Sequence, residues 1–83
     1  MDIIRHNERR MRVPFDKITL FSFIRDHGAY YVSISWDHDD YYNDFYDFDE
    51  LKQLLRAWIR YDGKIMPALD ALNNCQPEFT IYL

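Results

Sequence analysis

Residues 17–36 read KITLFSFIRDHGAYYVSISW, and whether they form two strands or a helix and a strand decides the fold. In the second half, Tyr30, Val32, Ile34 and Trp36 alternate with Tyr31, Ser33 and Ser35, the period of two that marks a half-buried strand. The first half, Lys17 to Arg25, is rich in β-branched and aromatic residues, which suit a pleated surface. Between the two, Asp26-His27-Gly28 supplies a three-residue turn with Gly where a positive φ is needed. The stretch predicts an antiparallel hairpin. The competing reading is a helix over residues 17–27, capped by Asp16 and stopped at Gly28.

Immediately downstream, residues 36–50 read WDHDDYYNDFYDFDE, with seven acidic residues, six aromatic ones and no Lys or Arg. This segment is either a long acidic loop or a third strand. A strand over Tyr41–Phe48, with Asp37–Asp40 as the turn, is favoured because unstructured loops above about 12 residues are uncommon in compact domains. Tyr42, Asp44, Tyr46 and Phe48 would share one face, and Tyr41, Asn43, Phe45 and Asp47 the other. Trp36, Phe45 and Phe48 are the aromatics expected in the core.

From Asp47 to Tyr61 the spacing changes. Leu51, Leu54, Leu55, Trp58 and Ile59 recur at i, i+3, i+4, i+7 and i+8, one face of an amphipathic helix. Asp47 and Glu50 have capping-box spacing, with Tyr46 and Leu51 placed as a hydrophobic staple and Asp49 as a rival cap. Asp62-Gly63 is expected to end the helix. Pro67 suits the start of a second helix running to about Asn74 and burying Leu69 and Leu72. After Pro77, EFTIYL alternates Phe79, Ile81 and Leu83 against Glu78, Thr80 and Tyr82 as a last strand. The fold class expected is α+β: a small antiparallel sheet in β-β-β-α-α-β order with two helices packed on one face. Residues 1–83 form one domain, with 1–12 a loose arm or part of an edge strand through Met11 and Val13 that ends at Pro14.

The net charge of −4 conceals a strong asymmetry. Residues 1–25 carry six basic and three acidic groups, residues 26–51 none and eight, and residues 52–83 four and three. The acidity resides in one segment, and a concentrated field of one sign selects partners of the other. A single cysteine, Cys75, excludes an intramolecular disulfide and is expected to be a small buried or half-buried side chain. The first residues lack the apolar core of a secretion signal, and no run reaches the 18 or so apolar residues of a membrane span. A soluble cytoplasmic protein is expected.

No catalytic signature emerges. Nothing local activates Ser22, Ser33 or Ser35 as a nucleophile, and two isolated glycines exclude phosphate-cradling loops. A catalytic acid is commonly one whose pKa burial has raised, and a crowded polar turn around Asp37, His38, Asp39 and Asp40 promises no burial. As a cation site, Asp37, Asp39 and Asp44 lack the Gly and terminal Glu of an EF-hand loop, and His38 reads as a surface residue. The arginines of ERRMR suggest phosphate contacts, but interleaved acids favour solvation of an edge strand or pairing with the acidic segment. No cofactor is expected. Tyr41 and Tyr42 cannot both point inward on a strand, so at least one is exposed beside carboxylates, a combination suited to interfaces. Asp37, Asp39, Asp40, Tyr41, Tyr42 and Asp44 are therefore the expected partner-binding residues, facing Arg and Lys of a basic protein surface.

The helix start YDFDELKQLLRAW, followed by Asp62-Gly63 and a second helix, resembles the arrangement in small type I-F anti-CRISPR proteins, where two helices back an antiparallel sheet. The resemblance spans about residues 30–75 in order of elements. It implies a phage-encoded, non-enzymatic inhibitor that occupies a basic, nucleic-acid-binding groove of a host defence complex by partial mimicry of DNA or RNA. The strand 78–83 and the dense acidic segment depart from that pattern, so no residue roles are carried over. An immunity protein or antitoxin that neutralises a nuclease toxin is the alternative, and a small metal-binding or regulatory domain the third.

Overall fold

The computed structural model describes residues 3–6, 9–45 and 47–83, with side chains from 12–45 and 47–83. Strands β1 (Ile3–His6) and β2 (Arg9–Arg12) pair as an N-terminal hairpin. Strands β3 (Ile18–Asp26), β4 (Ala29–Trp36) and β5 (Asp39–Phe45) follow as a meander. Then come helices α1 (Phe48–Tyr61) and α2 (Met66–Asn73), joined by a 3₁₀ turn, and finally β6 (Glu78–Tyr82). The second sheet has four antiparallel strands in the order β5-β4-β3-β6. The α+β class and the β-β-β-α-α-β order stand, with the basic hairpin added in front. Within the span 1–12, read as a loose arm or part of an edge strand, the described residues 3–6 and 9–12 are two paired strands, and β1 lies alongside β5. Met11 falls within β2, but its side chain lies outside the described residues.

Residues 18–26 are strand, so the helix read over 17–27 does not form, because the pairing partner supplies what local propensity leaves open. The hairpin turn is shorter than three residues: Asp26 pairs with Ala29, leaving His27 and Gly28 at φ 49° and 79°. Two successive positive φ values make a type I′ turn, whose twist matches that of the flanking strands. Near the start of β3 a register shift between Ile18 and Leu20 leaves Thr19 as an extra residue, and its hydroxyl donates to the Ser35 carbonyl at 3.2 Å. The bulge lets Ile18 stay buried while Leu20 turns to the other face.

One face of the sheet carries Phe21, Phe23, Tyr30, Val32, Ile34, Trp36 and Phe45, all buried. Against it α1 lays Leu51, Leu54, Leu55 and Trp58, with Ile59 half-buried at the margin. Each such side chain contributes about 1.5–3 kcal/mol by leaving water. Asp47 is the N-cap, its carboxylate accepting from the Asp49 N–H at 2.8 Å, which decides between the two rival caps. Tyr46, assigned to the staple, has no described side chain. The helix does not end through a left-handed glycine. Asp62 adopts extended backbone and its carboxylate accepts from the Lys64 N–H at 3.0 Å, capping the 3₁₀ turn Gly63–Ile65.

In α2, Pro67 sits in the first turn and the buried residues are Ala68, Ala71 and Leu72, with Leu69 half-buried. Cys75 corrects the expectation of a buried or half-buried side chain: it is exposed, at φ 55°. Its N–H donates to the Leu72 carbonyl and that of Gln76 to the Ala71 carbonyl, both at 3.1 Å. This is a Schellman motif with Cys75 in the left-handed position that Gly commonly takes. Pro77 then turns the chain into β6.

Candidate functional site

The acidic segment is mostly strand. Asp39–Phe45 forms β5 at an edge of the sheet, shorter than the Tyr41–Phe48 expected. Trp36 pairs with Asp39, so Asp37 and His38 alone make the turn, at φ 51° and 65°. Both L residues occupy a conformation that Asn-Gly adopts with less strain. Phe48 is not on the strand: it opens α1, its ring half-buried 5.9 Å from Tyr30 with Lys52 Nζ 4.2 Å above it. Replacing the turn pair by Asp37→Asn with His38→Gly should raise stability by about 1 kcal/mol, near 4–8 °C in Tm for a domain of this size. An unchanged or lowered melting temperature would mean that Asp37 and His38 make contacts worth more than the turn strain.

The six expected partner-binding residues do not form one surface. By register, Asp39 and Tyr41 share the helix side of the sheet with Trp36 and Ile34, whereas Asp40, Tyr42 and Asp44 share the opposite side with Ser35, Ser33 and Tyr31. Asp37 is exposed in the turn. Tyr41 is half-buried and stacks on Trp36 with ring centroids 3.7 Å apart and planes 9° apart. It therefore serves packing. Tyr42 is 62% exposed, flanked along the strand by exposed Asp40 and Asp44. Ser35 Oγ donates to the Asp40 carboxylate, orienting that acid across the pair.

No helix covers the outer side of the sheet among the described residues. Three rows of cross-strand neighbours run over it. The first is Asp44, Tyr31, Ile24 and Glu78; the second Tyr42, Ser33, Ser22 and Thr80; the third Asp40, Ser35, Leu20 and Tyr82. Ile24, Tyr31, Tyr42 and Tyr82 are all exposed. Alternation alone would have revealed this face, since serines, a threonine and acids interleave with single large residues. What sequence reading missed is that Tyr31, Ile24 and Tyr82 join Tyr42 there, because that depends on strand order.

The same alternation disperses the carboxylates. Neighbouring Asp39 and Asp40 point to opposite sides, and among the described residues no three His, Cys, Asp or Glu side chains gather as a metal site. No described helix is long and apolar enough to cross a membrane. Comparison with known protein families, with curated proteins and with solved structures finds no match.

Proposed function

We propose that the protein is a non-enzymatic binding protein that presents Asp40, Tyr42 and Asp44, with Asp37 at the rim, to a basic surface of a nucleic-acid-binding protein. The observation that carries this reading is Tyr42, 62% exposed between two exposed acids on one side of an edge strand. A tyrosine so placed contributes contact area at low entropic cost, while the acids select Arg or Lys and speed encounter. Asp39 and Tyr41 drop out of the proposed contact set, Tyr41 because its ring already packs on Trp36. In biological terms the reading is that of an inhibitor of the anti-CRISPR kind, and the immunity-protein alternative uses the same chemistry on a nuclease toxin.

The test is chemical cross-linking in the native host cytoplasm with and without excess DNA or RNA, followed by salt-dependent association rates for the purified partner. Nucleic acid should compete with capture. The triple variant Asp40→Asn, Tyr42→Ala, Asp44→Asn should associate on the order of tenfold more slowly, with a flatter dependence on salt. A partner that binds wild type and variant alike, or that binds nucleic acid simultaneously, would overturn the proposal. A lone nuclease as the partner would favour the immunity role, and a multi-subunit defence complex the anti-defence role.

A further inference from the structure

The two edges of the four-stranded sheet are built differently. β5 carries Asp39, Asp40 and Asp44 and has β1 alongside it. Charge and cover are the usual defences against strand pairing. β6, at the other edge, reads EFTIY, without Lys, Arg or Pro, and among the described residues no strand pairs with its outer side. Its outward backbone groups are identifiable. The Arg25 N–H donates to the Pro77 carbonyl at 2.8 Å and the Leu83 N–H to the Thr19 carbonyl at 2.9 Å, so positions 77, 79, 81 and 83 face β3. By the alternation of an antiparallel ladder, the N–H and C=O groups of Glu78, Thr80 and Tyr82 point away from the sheet.

We propose that the protein self-associates as a twofold dimer in which β6 pairs antiparallel with β6 of a second copy, centred on Thr80. This register uses every outward residue of the strand on both copies, forming about six backbone hydrogen bonds. Centring on Phe79 or Ile81 instead leaves one outward residue of each strand without a partner in the other. It also suits the side chains. Glu78 of one copy lies opposite Tyr82 of the other, so no two acids meet directly. Phe79 lies opposite Ile81, and each half-buried side chain gains an apolar neighbour on the helix side of the sheet. A second copy thus complements the strand in hydrogen bonding and polarity without setting like charges opposite each other, as an isologous interface requires. The interface lies at the edge remote from the acidic strand and is independent of the binding role proposed for it.

Sedimentation equilibrium over a wide concentration range, with circular dichroism to verify folding, tests this. Wild type should show a reversible monomer–dimer equilibrium. Thr80→Pro deletes an outward N–H and leaves the bonds to β3 in place, so it should fold and remain monomeric, whereas Thr80→Val should dimerise like wild type. Thr80→Lys sets two like charges across the twofold axis and should raise the dimer dissociation constant at least about tenfold, more at low salt. It serves in place of the proline variant should that fail to fold. A wild type that is monomeric at every concentration overturns the proposal, as does a folded Thr80→Pro or Thr80→Lys variant that dimerises as tightly as wild type.

Discussion

Trp58→Ala is expected to destabilise the domain by about 3–5 kcal/mol, a large share of the 5–15 kcal/mol that holds a typical domain folded. Trp58 is 1% exposed. Its ring stacks on Phe15 at 5.3 Å and meets Phe21 edge-on at 5.6 Å. It therefore joins three layers: α1, the inner face of β3, and the segment that leads out of β2. That segment is held by a turn in which the Lys17 N–H donates to the Pro14 carbonyl at 2.8 Å, which lays Phe15 on the indole. Loss of the indole leaves a cavity that neither a sheet strand nor a helix can close without moving as a body. Chemical denaturation should show a large fall in midpoint. A variant that melted near the wild-type temperature would require α1 to pack by another face.

The second large effect separates two adjacent tyrosines. Tyr41→Ala is expected to cost about 2 kcal/mol, because it removes a half-buried ring stacked on Trp36. Tyr42→Ala should stay within about 0.5 kcal/mol, as befits an exposed position away from the core. Denaturation of the two single variants side by side makes the comparison, and equal losses would contradict the alternation of β5. The same pair informs the binding proposal. Tyr42→Ala should weaken partner binding in a protein of unchanged stability, and a loss of binding confined to Tyr41→Ala would point to misfolding of the edge rather than to a contact.

Much of the architecture was legible because each element carries its own periodicity. Leu51, Leu54, Leu55 and Trp58 declare a helix at their spacing, and Tyr30, Val32, Ile34 and Trp36 declare a strand. Boundaries were less legible. Asp26-His27-Gly28 and Asp37–Asp40 both read as longer turns than the two-residue ones that form. Gly marks only the second position of a type I′ turn, and the first is forced positive by strand pairing. Phe48 shows the same limit, since an aromatic after an alternating run continues a strand by pattern and starts a helix once Asp47 caps it. The hairpin β1–β2 was legible only as one alternative, an edge strand through Met11, because short polar strands such as RRMR lack an alternating apolar signal. Cys75 was misplaced because its position is set by the Schellman hydrogen bonds, which require a left-handed residue there and turn the side chain outward.

For the candidate site, alternation along β5 was enough to require that Tyr41 and Tyr42 face opposite ways, and composition was enough to concentrate the acids in one segment. Which tyrosine packs and which stands exposed depended on where the helices lie. α1 and α2 cover only the side of the sheet that carries Phe21, Val32 and Ile34, so Tyr41 meets Trp36 and Tyr42 meets solvent. Strand order likewise decided that β5 and β6 are the two edges, a relation between residues about 40 positions apart that no local pattern encodes. Sequence determines the period and polarity of each element through the geometry of its own backbone. Only the tertiary structure decides which faces and edges are left uncovered, because burial is a property of what packs against a residue and not of the residue itself.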